Sequence, residues 1–212
     1  MNTDLDKSAV VLLHGLWTNR LIMHYLARKL AAAGYAPCTI TYPSMRGRME
    51  EHVALVAKRV AAIDSPRVHL VGHSLGGLLA LRYLQGESDG RVGRAVLLGA
   101  PVSGSQTALQ LARCAPGRLL LGASLSLWRG PFDSALGSRH EVGAIAGTRP
   151  LGLAHALLPL PGPNDGVVTV QETRMPGLAD HLSLSVSHTG MLISNRVARQ
   201  IAAFLEQGRF ER

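Results

Sequence analysis

Hydrophobic residues along the chain gather into short runs, and between the runs they recur every three or four positions. The runs lie near 9–13, 37–42, 67–71, 92–98, 141–147 and 182–187. Most are apolar at nearly every position, which suits strands covered on both faces, the condition of a parallel sheet. The last alternates Leu182, Leu184 and Val186 with serines and reads as a strand by its period of two. Between the runs, Ile22, Leu26, Leu30 and Ala33 keep helical spacing up to Gly34, a C-terminal cap. Val53, Val56, Val60 and Ile63 make a second stripe, Leu78 to Tyr83 a third, and Val197, Ile201, Phe204 and Leu205 a fourth that runs from about Ser194 to Gly208. Strand and helix in alternation predict an α/β fold, a three-layer αβα sandwich around a mostly parallel sheet of about six strands. No linker or low-complexity stretch divides residues 1–212, so one domain is expected. Its least regular part, 102–139, reads as a cap or lid-like insertion, or equally as amphipathic helices on the sheet edge.

The run Val68-His69-Leu70-Val71-Gly72-His73-Ser74-Leu75-Gly76-Gly77 carries the most chemistry. It predicts a strand, a sharp turn with Ser74 at its apex, and a helix start, the geometry of a nucleophile elbow. Side chains two positions either side of the serine would collide with neighbouring backbone, and Gly72 and Gly76 remove them. The helix that follows points its free amides at Ser74. Glycines beside a serine also arise by chance in a chain with 23 of them, so the reading leans on the rest of the sequence.

Upstream, Ala9 to Leu13 ends on His14-Gly15-Leu16-Trp17, a strand closing in a tight loop. That loop can turn the N–H of Leu16 toward the point faced by the N–H of Leu75, making a two-amide oxyanion hole. His14 precedes the serine and is read as holding the loop by hydrogen bonds; His73 is read as structural and facing away. Downstream, Pro161-Gly162-Pro163-Asn164-Asp165-Gly166 is a turn-rich loop with one carboxylate, and 23 residues on His188 stands just past a strand end. Asn-Asp-Gly is good turn chemistry in its own right, but Ser74, Asp165 and His188 fall in the order nucleophile, acid, base. Asp133, Glu141 and Glu172 are less well-placed reserves for the acid.

Through His14-Gly15, the Gly72-to-Gly77 elbow, Asn164-Asp165-Gly166-Val167-Val168 and Ser187-His188-Thr189-Gly190, the chain resembles the α/β-hydrolase fold lipases and esterases, from about Val10 to the last helix. It looks most like the compact bacterial lipases with little or no lid. The resemblance implies a Ser74-His188-Asp165 triad, a mostly parallel twisted sheet and no cofactor. It leaves the substrate open.

Charge changes this picture little. Lys and Arg outnumber Asp and Glu 22 to 14, a formal +8. The cations are scattered and aromatics make up only 4%, so a solvated arginine-rich surface is expected and no nucleic-acid partner. Anionic interfaces or acidic substrates are the minority reading. His24, His52, His69, His140, His155 and His181 are read without H-x-x-x-H or Cys/His spacing, so no metal is expected. Cys38 and Cys114 fit a reducing compartment, Cys38 reads as a small apolar residue in a buried strand, and nothing requires a bridge between the two. The acidic N-terminus has no apolar leader, and no run reaches 18 apolar residues; a cytoplasmic enzyme without a membrane span is expected.

The expected activity is hydrolysis of a small acyl ester or lipid, at a lipid interface or in solution. Trp17, Leu120, Leu127 and Trp128 are the candidate acyl-pocket residues. An acyltransferase or thioesterase would use the same machinery, and a non-catalytic binding protein would keep only the fold.

Overall fold

In a computed structural model, residues 7–86, 89–113, 115–121, 139–151 and 160–212 are described. Six strands form one sheet: β1 (Ala9–Leu13), β2 (Ala36–Ile40), β3 (Val68–His73), β4 (Val92–Leu98), β5 (Val142–Gly147) and β6 (Asp180–Leu184). Their order across the sheet is β2-β1-β3-β4-β5-β6, and every pairing is parallel. Among the described residues the α-helices are α1 (His24–Ala32), α2 (Met49–Ala61), α3 (Leu75–Gly86), α4 (Gln106–Leu111), α5 (Ala115–Leu121) and, after β6, α6 (Asn195–Gln207).

The period of two along each strand divides the core. Ala9, Val11 and Leu13 of β1, Val68 and Leu70 of β3, and Ala95 and Leu97 of β4 pack on the face covered by α2 and α3, with Val56, Val60, Leu78 and Leu79 opposite them. Val10, Leu12, Val71, Val96, Leu98 and Ile145 point the other way, against Met23, Leu26 and Leu30 on the α1 side and Val197, Ile201 and Phe204 of α6. Strands sandwiched in this way have no face left for water, which is why they read as unbroken apolar runs. In β5, Gly143 leaves the space that the Phe204 ring fills. Helix α6 is fastened at both ends: Ser194 Oγ accepts from Val197 N at 3.3 Å, and Gly208 closes the last turn at φ 75°. Arg94 adds hydrogen bonds to the carbonyls of Leu205 and Glu206 at 2.9 and 2.7 Å, a cation at a helix C-terminus.

Three expectations need correction. The predicted first helix divides into a short 3-10 turn, Arg20–Met23, and α1, and Ile22 is exposed on the turn. Asn19 caps that turn through its side chain, which starts the chain coiling before the apolar stripe begins. The alternating run at 182–187 begins earlier, at Asp180, and Val186-Ser187 already belong to a loop in which Val186 N donates back to Leu184 O at 2.8 Å. Cys38 is half-buried, because β2 is an edge strand; Cys114 lies outside the described residues. No helix among the described residues is long and apolar enough to cross a membrane.

Candidate active site

Because all six strands run the same way, their C-terminal ends share one rim, and loops that leave it converge. Ser74 follows β3, the His14–Trp17 loop follows β1, Gly99 follows β4, Asp165 lies between β5 and β6, and His188 follows β6.

Ser74 has φ 54°, a left-handed conformation that a residue with a Cβ rarely adopts. Its N–H donates to Leu98 O at 2.9 Å. The glycines around it act as the spacing predicts: a Cβ on Gly72 would run into the Gly76 carbonyl, and one on Gly76 into the carbonyls of Leu13 and His14. The serine therefore stands on a turn pressed against β1, just past its own strand. Among the described residues, the N–H groups of Leu16 and Leu75 donate to no hydrogen bond. Trp17, next to Leu16, is a second residue at positive φ, 60°, and is exposed.

His14 is fully buried and holds its loop. Its Nδ1 donates to Gly15 O at 2.9 Å, its Nε2 accepts from Tyr42 N at 3.4 Å, and its ring stacks on Tyr42 with centroids 4.3 Å apart. The Tyr42 hydroxyl closes the set by donating to His14 O. Burial lowers the His14 pKa, opposed in part by the Gly15 bond.

Asp165 is 1% exposed and serves two purposes at once. Its Oδ1 accepts from Val167 N and Val168 N at 2.9 and 2.8 Å, closing its own turn, and its Oδ2 accepts from His188 Nδ1 at 2.8 Å. The His188 N–H also donates to Asp165 O at 2.9 Å. Turn chemistry and carboxylate chemistry are thus not alternatives here, since Asn164 shapes the loop through Gly162 and Gly166 while the aspartate keeps one oxygen for the imidazole. Of the reserve acids, Glu172 is buried but spends its carboxylate on Thr169 N, Thr169 Oγ1 and Gln106 N at 2.6, 2.9 and 2.5 Å. Glu141 pairs with Arg94 at 2.8 Å, and Asp133 lies outside the described residues.

The structure brings Asp165 and His188 into contact and sets Ser74 on the adjoining turn. Among the described residues Ser74 Oγ makes no hydrogen bond. Two residues escaped the sequence reading. Gly99, at φ 54°, runs so close to the pair that a Cβ there would meet Asp165 Oδ2 at 2.9 Å and His188 Nδ1 at 3.1 Å. The Gly99-Ala100-Pro101 break after β4 was the available signal. His73 does not face away: its ring lies 4.6 Å from that of His188, centroid to centroid. The expectation that His69 lacks H-x-x-x-H spacing needs correction, since His73 stands four residues on; both lie on a strand, where four residues span about 13 Å, and His69 Nδ1 is taken by Arg94 N at 2.9 Å.

Of the pocket candidates, Trp17 lies on this rim, Leu120 lies in α5, and Leu127 and Trp128 lie outside the described residues. The start of the 102–139 segment is fastened to the acid loop: Thr107 Oγ1 donates to Val167 O at 2.6 Å, and Gln106 N to Glu172.

Comparison with known proteins bears on the family and the fold. The family model described as "Alpha/beta hydrolase family" matches residues 10–205. Among solved structures, a lipase of Bacillus licheniformis in its propeptide form superposes with a TM-score of 0.76 at 20% identity, over 97% of this chain and 51% of that one. A metagenomic carboxyl esterase gives 0.65 at 18% identity, over 89% and 65%. An esterase from Exiguobacterium antarcticum gives 0.67 at 15% identity, over 95% and 93%. The chain thus spans about half the length of the Bacillus lipase, and at these identities the likeness is one of fold. A search of curated protein sequences found no match.

Proposed function

The chain belongs to the alpha/beta hydrolase family, and from that premise we propose that it is a serine hydrolase of carboxylic esters in which Ser74, His188 and Asp165 form the triad. The observation that carries the reading is the 2.8 Å bond from His188 Nδ1 to a buried Asp165, beside a serine at positive φ. With Nδ1–H held by the carboxylate, His188 presents its Nε2 lone pair to the Ser74 proton. Ser74 Oγ attacks the ester carbonyl carbon as that proton passes to Nε2. The oxyanion is received by the N–H groups of Leu16 and Leu75. His188 then returns the proton to the departing alkoxide, leaving an acyl-serine. Water attacks the acyl carbon, gives its proton to Nε2, and the serine leaves with that proton as the acid is released.

An apolar acyl group suits the rim. The exposed large hydrophobic residues among those described are Trp17, Leu21, Ile22, Met45, Leu109, Leu119, Leu151 and Ile193. All eight lie on segments that leave C-terminal strand ends. Exposed apolar residues on these segments favour a substrate with a hydrocarbon part, alone or at a lipid interface.

Hydrolysis of p-nitrophenyl esters of graded chain length tests the proposal. The expected result is a maximum at some chain length, lost by about 10⁴-fold or more in Ser74→Ala. Product analysis with an added alcohol separates water from alcohol as the acceptor. A folded protein with no turnover on any ester of the series would overturn the reading.

A further inference from the structure

His73 is 3% exposed, yet its imidazole uses only one of its two nitrogens. Nε2 lies 3.0 Å from the carbonyl oxygen of His188, so it carries the proton and donates. Nδ1 is then a bare acceptor, buried without a partner among the described residues. A leucine would fill this volume with no unpaired atom, and an unpaired buried acceptor is a cost. What the imidazole adds over leucine is one N–H, placed at the far end of the ring and aimed at the backbone of His188.

The topology gives that bond a purpose. His73 is the last residue of β3, next to Ser74, and β3 is separated from the edge strand β6 by β4 and β5. Ladder bonds therefore cannot hold the loop after β6 against the turn after β3. Among the described residues the other hydrogen bonds of His188, through its N–H and Nδ1, both go to Asp165, so they fix acid and base to each other and leave the nucleophile to another link. The His73 bond supplies that link.

We infer that His73 is a positioning residue for the base: through its Nε2–H it ties the His188 loop to the nucleophile strand and sets the distance between Ser74 and His188. The inference rests on the reading of His188 as the base. Burial and the neighbouring His188 hold the His73 pKa down to about 3, so the donor adds no positive charge beside the imidazolium that forms on His188.

Glutamine and asparagine separate this role from packing, because the glutamine amide nitrogen reaches the Nε2 position and the asparagine nitrogen stops near Nδ1. Steady-state hydrolysis of p-nitrophenyl butyrate is measured for wild type, His73→Gln and His73→Asn, with thermal melts to establish folding. The rate of Ser74 phosphonylation by a fluorophosphonate is measured for the same set and again on a His188→Ala background. The expected result is a fall in kcat of about 10–100-fold in His73→Asn with KM within about twofold, and recovery to within about threefold of wild type in His73→Gln. On the His188→Ala background His73→Asn costs less than about twofold in phosphonylation, because a residue that acts through His188 has nothing left to position. Should His73→Asn fail to fold, His73→Leu takes its place, keeping the volume without the donor. Full activity in the donor-less variant, equal impairment of His73→Gln, or an undiminished loss on the His188→Ala background would overturn the inference while leaving the triad standing. A folded wild type that the probe does not label would overturn both.

Discussion

At Ser74 the backbone is held at φ 54° by the residues around it, at a cost on the order of 1–2 kcal/mol for a side chain with a Cβ. Glycine is free of that cost, so Ser74→Gly is expected to be more stable than Ser74→Ala by roughly 0.5–1 kcal/mol, with both equally inactive. Urea denaturation of the two variants checks this; equal stabilities would mean that the turn is not strained. Adding a methyl at Gly76 does the opposite, since it enters the Leu13 carbonyl and nothing there can move without shifting β1. Gly76→Ala is expected to destabilise by about 2 kcal/mol or more and to lower activity together with stability. A variant with the wild-type melting temperature would contradict the close approach.

Among the elements, α6 has the most to lose. Phe204 is fully buried against β5 and fits only because Gly143 has no side chain. Phe204→Ala is expected to cost about 3–5 kcal/mol, and Gly143→Ala to displace the ring and destabilise as well, both read from denaturation midpoints. The central strands were legible in the sequence to within a few residues because a strand buried on both faces is apolar at nearly every position, and the edge strand β6 through its alternation. The bounds that slipped are those decided by local hydrogen bonds, the Asn19 cap before α1 and the return of Val186 to Leu184. The same division runs through the candidate site. Ser74, Asp165 and His188 are visible because each sits in a turn with its own local signature. His73 and Gly99 are not, since their importance comes from residues 115 and 66 or more positions away that only the folded chain brings near.

For the molecule as a whole, buried histidines shape the response to acid, His69 and His73 most strongly. Burial, aided by Arg67, lowers His69 to about 4, and burial, aided by His188, lowers His73 to about 3. In the unfolded chain both titrate near 6.5. As the pH falls below that value the unfolded chain takes up protons that the folded chain refuses, so stability is complete above about 6.5 and declines toward 3–4. The loss by pH 4 is on the order of a few kcal/mol. Urea melts at pH 7, 5.5 and 4.5 should show this decline and a shallower one in His73→Gln; a flat profile would contradict the buried neutral imidazoles.

The proposed chemistry passes through one atom, Ser74 Oγ. The most direct measurement is therefore intact-mass analysis of the protein after reaction with a fluorophosphonate, followed by mapping of the modified residue. The predicted result is a single adduct on Ser74, absent in Ser74→Ala and formed far more slowly in His188→Ala. An unmodified wild type that melts cooperatively, or an adduct on any other residue, would contradict it.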